Sequence, residues 1–360
     1  MSDEHGSSST RAGATPAQAR AKAPKLGTVV RGAWASLMLA LGVLVLGAPL
    51  GWWADLCATF AWPLLLAPIP TACWWVIRRR WFLVLASCCA AGLIGSVLLL
   101  PRAARESGAE ADPATLRLLI WNAHPTRTDE GAIASAIAAG GYDVMVFSEC
   151  PRGLARAWMK SGAPKGPSGA ALHAVLRRPV EDEAGWRVIL CRWPLIDLPS
   201  IGARAGEASG EDGAAGGWVA ARVERPAAEG GPFVVIAFQA QSPRTARRWR
   251  EGNELVREVV EAAREAMSDG LDVIVAGDLN GAPGGARDRA LASGGGLLRC
   301  KPRWLADGTW PAAFPSWSRV AIDDAWIPSA WRVREWRTLG GGGSDHRIVQ
   351  VTLAAPVSGE

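Results

Sequence analysis

The distribution of apolar and polar positions divides the chain into two unlike parts. Residues 1–32 are rich in Ser, Ala, Gly and Pro, lack apolar periodicity and carry Arg11, Arg20, Lys22, Lys25 and Arg31. They read as a disordered basic tail. Nearly continuous apolar runs follow at 33–50, 55–77 and 81–100, each close to the ~17–25 residues a helix needs to cross a hydrocarbon core. The pattern predicts a membrane domain over 33–100 with three transmembrane helices. Arg78, Arg79 and Arg80 separate the second run from the third, since three arginines at the bilayer centre would cost on the order of 9 kcal/mol. Trp52, Trp53, Trp74, Trp75 and Trp81 fall at or near the ends of the runs, where indoles prefer the headgroup layer. The basic tail and the arginine loop belong on the cytoplasmic side. Three crossings then leave the C-terminal part outside the cytoplasm.

Residues 101–115 read as a polar linker, after which the period changes. Short apolar runs of strand length follow at 116–124, 142–149, 187–195, 217–226, 231–241, 271–281, 320–327 and 347–354. A helical stretch lies between the first two, and a long helix is predicted over about 243–268, with Trp249, Leu255, Val259 and Ala262 or Ala263 on one face. A Gly/Ala-rich loop occupies 202–217. Strands outnumber helices, which predicts an α/β layered sandwich rather than a doubly wound parallel sheet.

Composition refines this picture in three ways. The chain of 360 residues is 49% hydrophobic and 20% charged, with a mean hydropathy of +0.10, which excludes a disordered protein. The net charge of +5 divides into +4 up to residue 115 and +1 beyond it, so the larger part is not a uniformly basic nucleic-acid binder. The apolar runs hold almost no charge, which disfavours a transporter. Seven cysteines without CxxC or Cys/His spacing suggest neither a zinc site nor a disulfide framework. Cys150, Cys191 and Cys300 lie in the larger part, where the pairing of Cys150 with Cys191 stays open.

Candidate chemistry gathers where strands end. Asn122 closes the first strand and Glu149 the second; Asp278 and Asn280 lie in AGDLNG; Asp345 and His346 follow the Gly340–Gly343 loop. Such a set of carboxylates, amide and imidazole suits a hard divalent cation and a phosphate. Taken singly, Asn122 and Asn280 read equally well as turn residues.

The motifs Ile120-Trp121-Asn122, Ser148-Glu149, Gly277-Asp278-Leu279-Asn280, Ile322-Asp323 and Ser344-Asp345-His346 occur in this order. Through them the chain resembles the endonuclease/exonuclease/phosphatase superfamily, over about residues 116–355. The three-span leader resembles a bacterial membrane-attached branch of it. The resemblance implies a deoxyribonuclease I-like sandwich of two mixed β-sheets flanked by helices, preceded by the three membrane helices, in a multi-pass inner-membrane protein. It also implies hydrolysis of a phosphoester with Mg²⁺ or Mn²⁺ as cofactor. By the same resemblance Glu149, Asn122 and Asp345 hold the metal, Asp278 orients or deprotonates the attacking water, and Asn280 donates to a phosphate oxygen. His346 contacts the scissile phosphate, and Asp323, rather than the adjacent Asp324, orients it.

The family usually has a histidine where this chain has Gln239, which can bind a phosphate but cannot shuttle a proton near neutral pH. The alternative is therefore a catalytically impaired member of the fold acting as a binding or scaffold protein. His124 is a candidate stand-in if the first strand continues to it. Arg244, Arg247, Arg248 and Arg250 around Trp249 form either a phosphate grip or the solvated face of a helix. Nucleic acid, a phospholipid head group and a small phosphodiester all remain open as substrates, with the lipid bilayer as the partner of the N-terminal helices.

Overall fold

The computed structural model describes residues 26–61, 64, 68–99, 115–178, 185–199, 217–302 and 307–355. Most of the predicted tail, nearly all of the linker and most of the Gly/Ala-rich loop lie outside the described residues. The strands are β1 (Thr115–Asn122), β2 (Val144–Cys150), β3 (His173–Arg177), β4 (Trp186–Cys191), β5 (Leu195–Asp197), β6 (Trp218–Val223), β7 (Phe233–Gln239), β8 (Asp272–Asp278), β9 (Leu298–Arg299), β10 (Asp323–Ile327), β11 (Arg332–Leu339) and β12 (Ile348–Ala354). They form two six-stranded sheets, ordered β11-β12-β1-β2-β4-β3 and β5-β6-β7-β8-β10-β9. Each sheet is mixed, because β1 pairs with β2 and β7 with β8 in parallel, while the other pairs are antiparallel.

Alternation along the strands explains why the central ones are apolar throughout. Leu118 and Ile120 of β1, Val235 and Ala237 of β7, and Ile274 and Ala276 of β8 meet between the sheets. The intervening residues face outward and are covered in turn. Leu119 and Trp121 pack with Ile133 and Ile137 of helix Glu130–Ala139. Val234, Ile236, Val273 and Val275 pack with Val256, Val259 and Ala263 of helix Ala246–Ser268. A strand buried on both faces loses the polar alternation of a half-exposed one. The long helix starts at Thr245, whose hydroxyl accepts from Arg248 N at 3.2 Å, an N-cap that satisfies one of the free donors of the first turn.

The N-terminal part departs from the prediction. Among the described residues one helix, Gly27–Leu46, is long and apolar enough to cross a membrane. The 55–77 run is not one span: it contains helix Trp52–Thr59, starting ahead of it, and helix Pro68–Ile77, while residues 62–63 and 65–67 lie outside the described set. Pro63, Pro68 and Pro70 interrupt that run, and proline inside a helix removes a backbone donor and clashes with the preceding turn. The third run forms helix Trp81–Leu99, of which Trp81–Ser96 counts as a shorter apolar helix among the described residues. Helices Leu26–Leu46 and Trp81–Leu99 pack through Ala35, Leu83 and Ala86. Large exposed apolar side chains concentrate here: apart from Met159, Ile196, Phe314 and Trp317, all those among the described residues lie between Val29 and Leu85.

Candidate active site

The two sheets bring their strand ends together at one rim. β7, β8 and β10 are neighbours, and their register places Gln239, Asp278 and Asp323 side by side. From the other sheet, Asn122 ends β1 opposite Ser148, and Glu149 follows in β2. The loop before β12 delivers Asp345 and His346. Ser344 pins that loop, its hydroxyl donating to the Asn122 carbonyl at 2.7 Å and accepting from His346 N at 3.0 Å.

Asp278 lies at the centre and is 1% exposed. Its Oδ2 accepts from Asn122 Nδ2 and Asn280 Nδ2, each at 2.9 Å, and its Oδ1 accepts from Asn280 N at 2.7 Å. Burial, then the nearby Asp323 carboxylate, push its pKa up to about 7. His346 Nδ1 lies 2.8 Å from Asp323 Oδ2. Burial by itself lowers the histidine, but the facing Asp323 carboxylate outweighs it and raises His346 to about 10. His346 is therefore held as the imidazolium at neutral pH. Thr309, which the sequence did not single out, accepts from the Asp323 backbone N–H at 3.2 Å and fixes this strand entry. Asp324 points the other way, accepting from Arg299 Nε at 2.6 Å and Trp336 Nε1 at 2.9 Å, so alternation does assign Asp323 to the site.

Glu149 Oε1 accepts from Asn122 Nδ2 at 3.2 Å and also from Gln239 Nε2. Asn122 thus bridges the carboxylates of Glu149 and Asp278 through its amide, while its Oδ1 accepts from His124 N at 3.2 Å. The Asn280 amide is engaged by Asp278 and by the Ala240 carbonyl at 3.0 Å, so its observed contacts orient Asp278. Asp345 Oδ2 accepts from Trp310 Nε1 at 3.4 Å and faces Arg127 at 3.5 Å. His124 lines the cleft but lies past the end of β1, in a turn, so the strand on which its stand-in role depended stops two residues short.

Three of these residues occupy left-handed backbone: His124 at φ 46°, Glu149 at 54° and Asn280 at 46°. Such geometry costs about 1–3 kcal/mol per residue and persists only where the surroundings enforce it. Gly185 does so for Glu149, because a Cβ at that position would collide with the Glu149 backbone.

The cleft above these groups has a volume of about 1000 Å³. Glu149, Gln239, Asp278, Asn280, Asp345 and His346 line it, with Asn122 and Asp323 bonded directly behind. Arg152, Arg187, Arg244 and Arg248 also line it, whereas Arg247 turns outward to pair with Glu251 at 2.6 Å. The predicted arginine cluster is thus split between the cleft and the solvated helix face. Leu56, Thr59 and Phe60 of the N-terminal part complete the lining. Cys150, Cys191 and Cys300 are buried, unpaired thiols.

Could this cluster hold a divalent cation? Asp323 Oδ1, Asp345 Oδ1 and Gln239 Oε1 are buried acceptors without a hydrogen-bond partner. Asp278, Asp323 and His346 each present an atom within 4.8 Å of the others. Buried oxygen acceptors left unsatisfied carry a desolvation cost that a hard cation would relieve, so the carboxylate and amide oxygens of this cleft suit such an ion. His346 itself is held protonated by Asp323 and is not a ligand in that state.

The Endonuclease/Exonuclease/phosphatase family matches the chain over residues 120–346. The chain belongs to this family. No curated protein matches the sequence. Among solved structures, the family member is similar to an endonuclease/exonuclease/phosphatase from Beutenbergia cavernae, at 19% identity over 68% of this chain and 72% of that one, with a TM-score of 0.43. It is also similar to the human Nocturnin catalytic domain with bound sulfate, at 14% identity over 68% and 96%, TM-score 0.46. A third is sphingomyelinase C from Streptomyces griseocarneus, at 18% identity over 67% and 99%, TM-score 0.44. The family hydrolyses phosphoesters, and the two mixed sheets flanked by helices are the architecture its motifs implied.

Proposed function

We propose that the chain is a membrane-anchored, divalent-metal-dependent phosphoesterase acting outside the cytoplasm, with its catalytic domain over residues 116–355. The observation that carries this reading is the meeting of Glu149, Asp278 and the Asp323–His346 pair at one cleft. Mg²⁺ or Mn²⁺ would be held by Glu149, Asn122 and Asp345, and would polarise a phosphoryl oxygen and offset developing charge. Asp278, with a pKa near 7, takes a proton from the attacking water, since a general base works best near the operating pH. Asn122 and Asn280 hold its carboxyl in place. His346, kept cationic by Asp323, donates to a phosphate oxygen. Arg244 and Arg248 supply further positive charge at the cleft wall.

Helix Gly27–Leu46 is the proposed anchor, supported by the exposed apolar side chains gathered between Val29 and Leu85. The basic residues Arg11, Arg20, Lys22 and Lys25 ahead of that helix support a cytoplasmic N-terminal end, which leaves the catalytic domain on the outer side.

The second reading, a scaffold without turnover, draws on the contact of Gln239 with Glu149, where an amide occupies the place of a proton-carrying group. One measurement separates the two. The full chain in detergent, supplied with Mg²⁺ or Mn²⁺, is expected to hydrolyse bis(nitrophenyl) phosphate. Glu149→Ala is expected to lower that rate at least about 100-fold, the scale of lost metal support. Equal rates in wild type and variant select the scaffold.

A further inference from the structure

Helix Trp52–Thr59 lies ahead of the family match and, by composition, belongs to the apolar N-terminal part, yet its polar contacts reach the sandwich. Asp55 is 4% exposed. Its Oδ1 accepts from Ala286 N at 2.8 Å and its Oδ2 from Trp249 Nε1 at 2.8 Å. Trp52 Nε1 donates to the Pro243 carbonyl at 2.6 Å. Gly285 makes room for the carboxylate, since a Cβ there would stand 2.8 Å from Asp55 Oδ1. A buried carboxylate in an apolar segment is tolerated only when partnered, and these partners all come from the catalytic domain. Trp249 and Pro243 flank Arg244 and Arg248, so the same latch braces the arginine wall of the cleft.

The consequence lies beside the latch, in the residues that follow it. Leu56, Thr59 and Phe60 line the cleft that holds Glu149, Asp278 and His346, and Phe60 remains 39% exposed. Leu56 on the helix and Phe60 at its C-cap both face this cleft. Leu56 stands ten positions after the candidate membrane span ends at Leu46. The cleft accordingly offers both arginines and an apolar patch, a short way along the chain from the anchor.

We infer that Asp55 is a positioning residue that latches helix Trp52–Thr59 onto the catalytic domain, and that Leu56 and Phe60 form a subsite for the apolar part of a lipid phosphodiester. This rests on the phosphoesterase reading above. A nucleic acid fits less well, because a domain charge near +1 attracts a polyanion weakly.

The test uses the full chain in detergent micelles with Mg²⁺ and two diesters sharing one leaving group, nitrophenyl hexadecyl phosphate and nitrophenyl methyl phosphate. The ratio of their kcat/KM values reports the subsite, and a partly unfolded variant lowers both numbers without changing it. In the wild type the ratio is expected to favour the hexadecyl ester. The double variant Leu56→Ser, Phe60→Ser is expected to reduce it about tenfold or more, given the roughly fourfold contribution of each methylene removed from water. Asp55→Asn is expected to reduce it too, chiefly through a higher KM for the hexadecyl ester. If hydrolysis depends on Glu149 but both variants keep the wild-type ratio, the inference is overturned and the phosphoesterase reading stands. Faster cleavage of an oligodeoxynucleotide than of either ester overturns it as well. If neither ester is cleaved in a Glu149-dependent way, the phosphoesterase reading itself fails.

Discussion

Asp278→Asn is expected to lower turnover of a nitrophenyl phosphodiester about 10³-fold, within the range for loss of a positioned base. The substitution preserves shape but removes the one group whose proton affinity suits water activation near neutral pH. It also turns an acceptor into a partial donor facing the amides of Asn122 and Asn280, so the new side chain cannot keep all three bonds. Stability should respond in the opposite direction. The folded-state pKa of Asp278 is raised from 3.8 to about 7, so its stabilising contribution is complete below pH 3.8 and is lost as pH rises through 7. Metal-free wild type is therefore expected to melt lower at pH 8 than at pH 5.5 on account of this group. The variant should lose that part of the pH dependence in a pair of thermal melts. A variant with wild-type turnover would remove Asp278 from the chemistry.

The second large effect is expected from Asp323→Asn. Without the carboxylate at 2.8 Å, burial is opposed only by the weaker pull of Asp278 and Asp345, and the pKa of His346 falls from about 10. The imidazolium is then held less firmly, and the cleft loses positive charge where phosphate charge would sit. Turnover should fall about 10²–10⁴-fold, as when the orienting carboxylate of a catalytic histidine is neutralised. Histidine ring resonances provide a direct readout, because the chain has only four histidines. In the wild type His346 contributes stability that is complete below pH 6.5 and lost as pH rises through 10; in the variant that window should narrow. The neighbouring Asp324→Asn is the contrast. Its carboxylate is buried against Arg299 on the far side, so it should cost about 3–5 kcal/mol in an unfolding titration without shifting the His346 resonance.

Much of the sandwich was legible because its central strands are unusually apolar. β1, β2, β7, β8 and β12 each sit within the run predicted for it or within a residue or two of it, since burial on both faces writes a continuous signal. The peripheral strands were not legible. β11 reads RVREWRTL, with arginines and a glutamate on its exposed side, and β9 is two residues long; neither length nor pattern separates them from loop. Helix Arg152–Ser161 also escaped, being mostly polar with only Ala155 and Trp158 buried. The N-terminal runs were over-read for the reverse reason, as hydrophobicity alone cannot distinguish a bilayer from a protein partner. The docking of Trp52–Thr59 depends on Ala286 and Trp249, roughly two hundred positions away.

Residue type and order were enough to single out Asn122, Glu149, Asp278, Asn280, Asp345 and His346, because each closes a strand or lies in the loop beside one with a chemistry that a phosphate or a cation requires, while Asp323 came from the family resemblance. Their relations were beyond reach of any linear reading. That His346 is charged, that Asp278 titrates near 7, and that Asn122 bridges two carboxylates all depend on distances and on exclusion of water, which arise once two sheets close over one core. The apolar wall contributed by Leu56 and Phe60 belongs to the same class of fact: electrostatics and burial are properties of neighbours in space, and the chain supplies those neighbours from segments that share no local pattern.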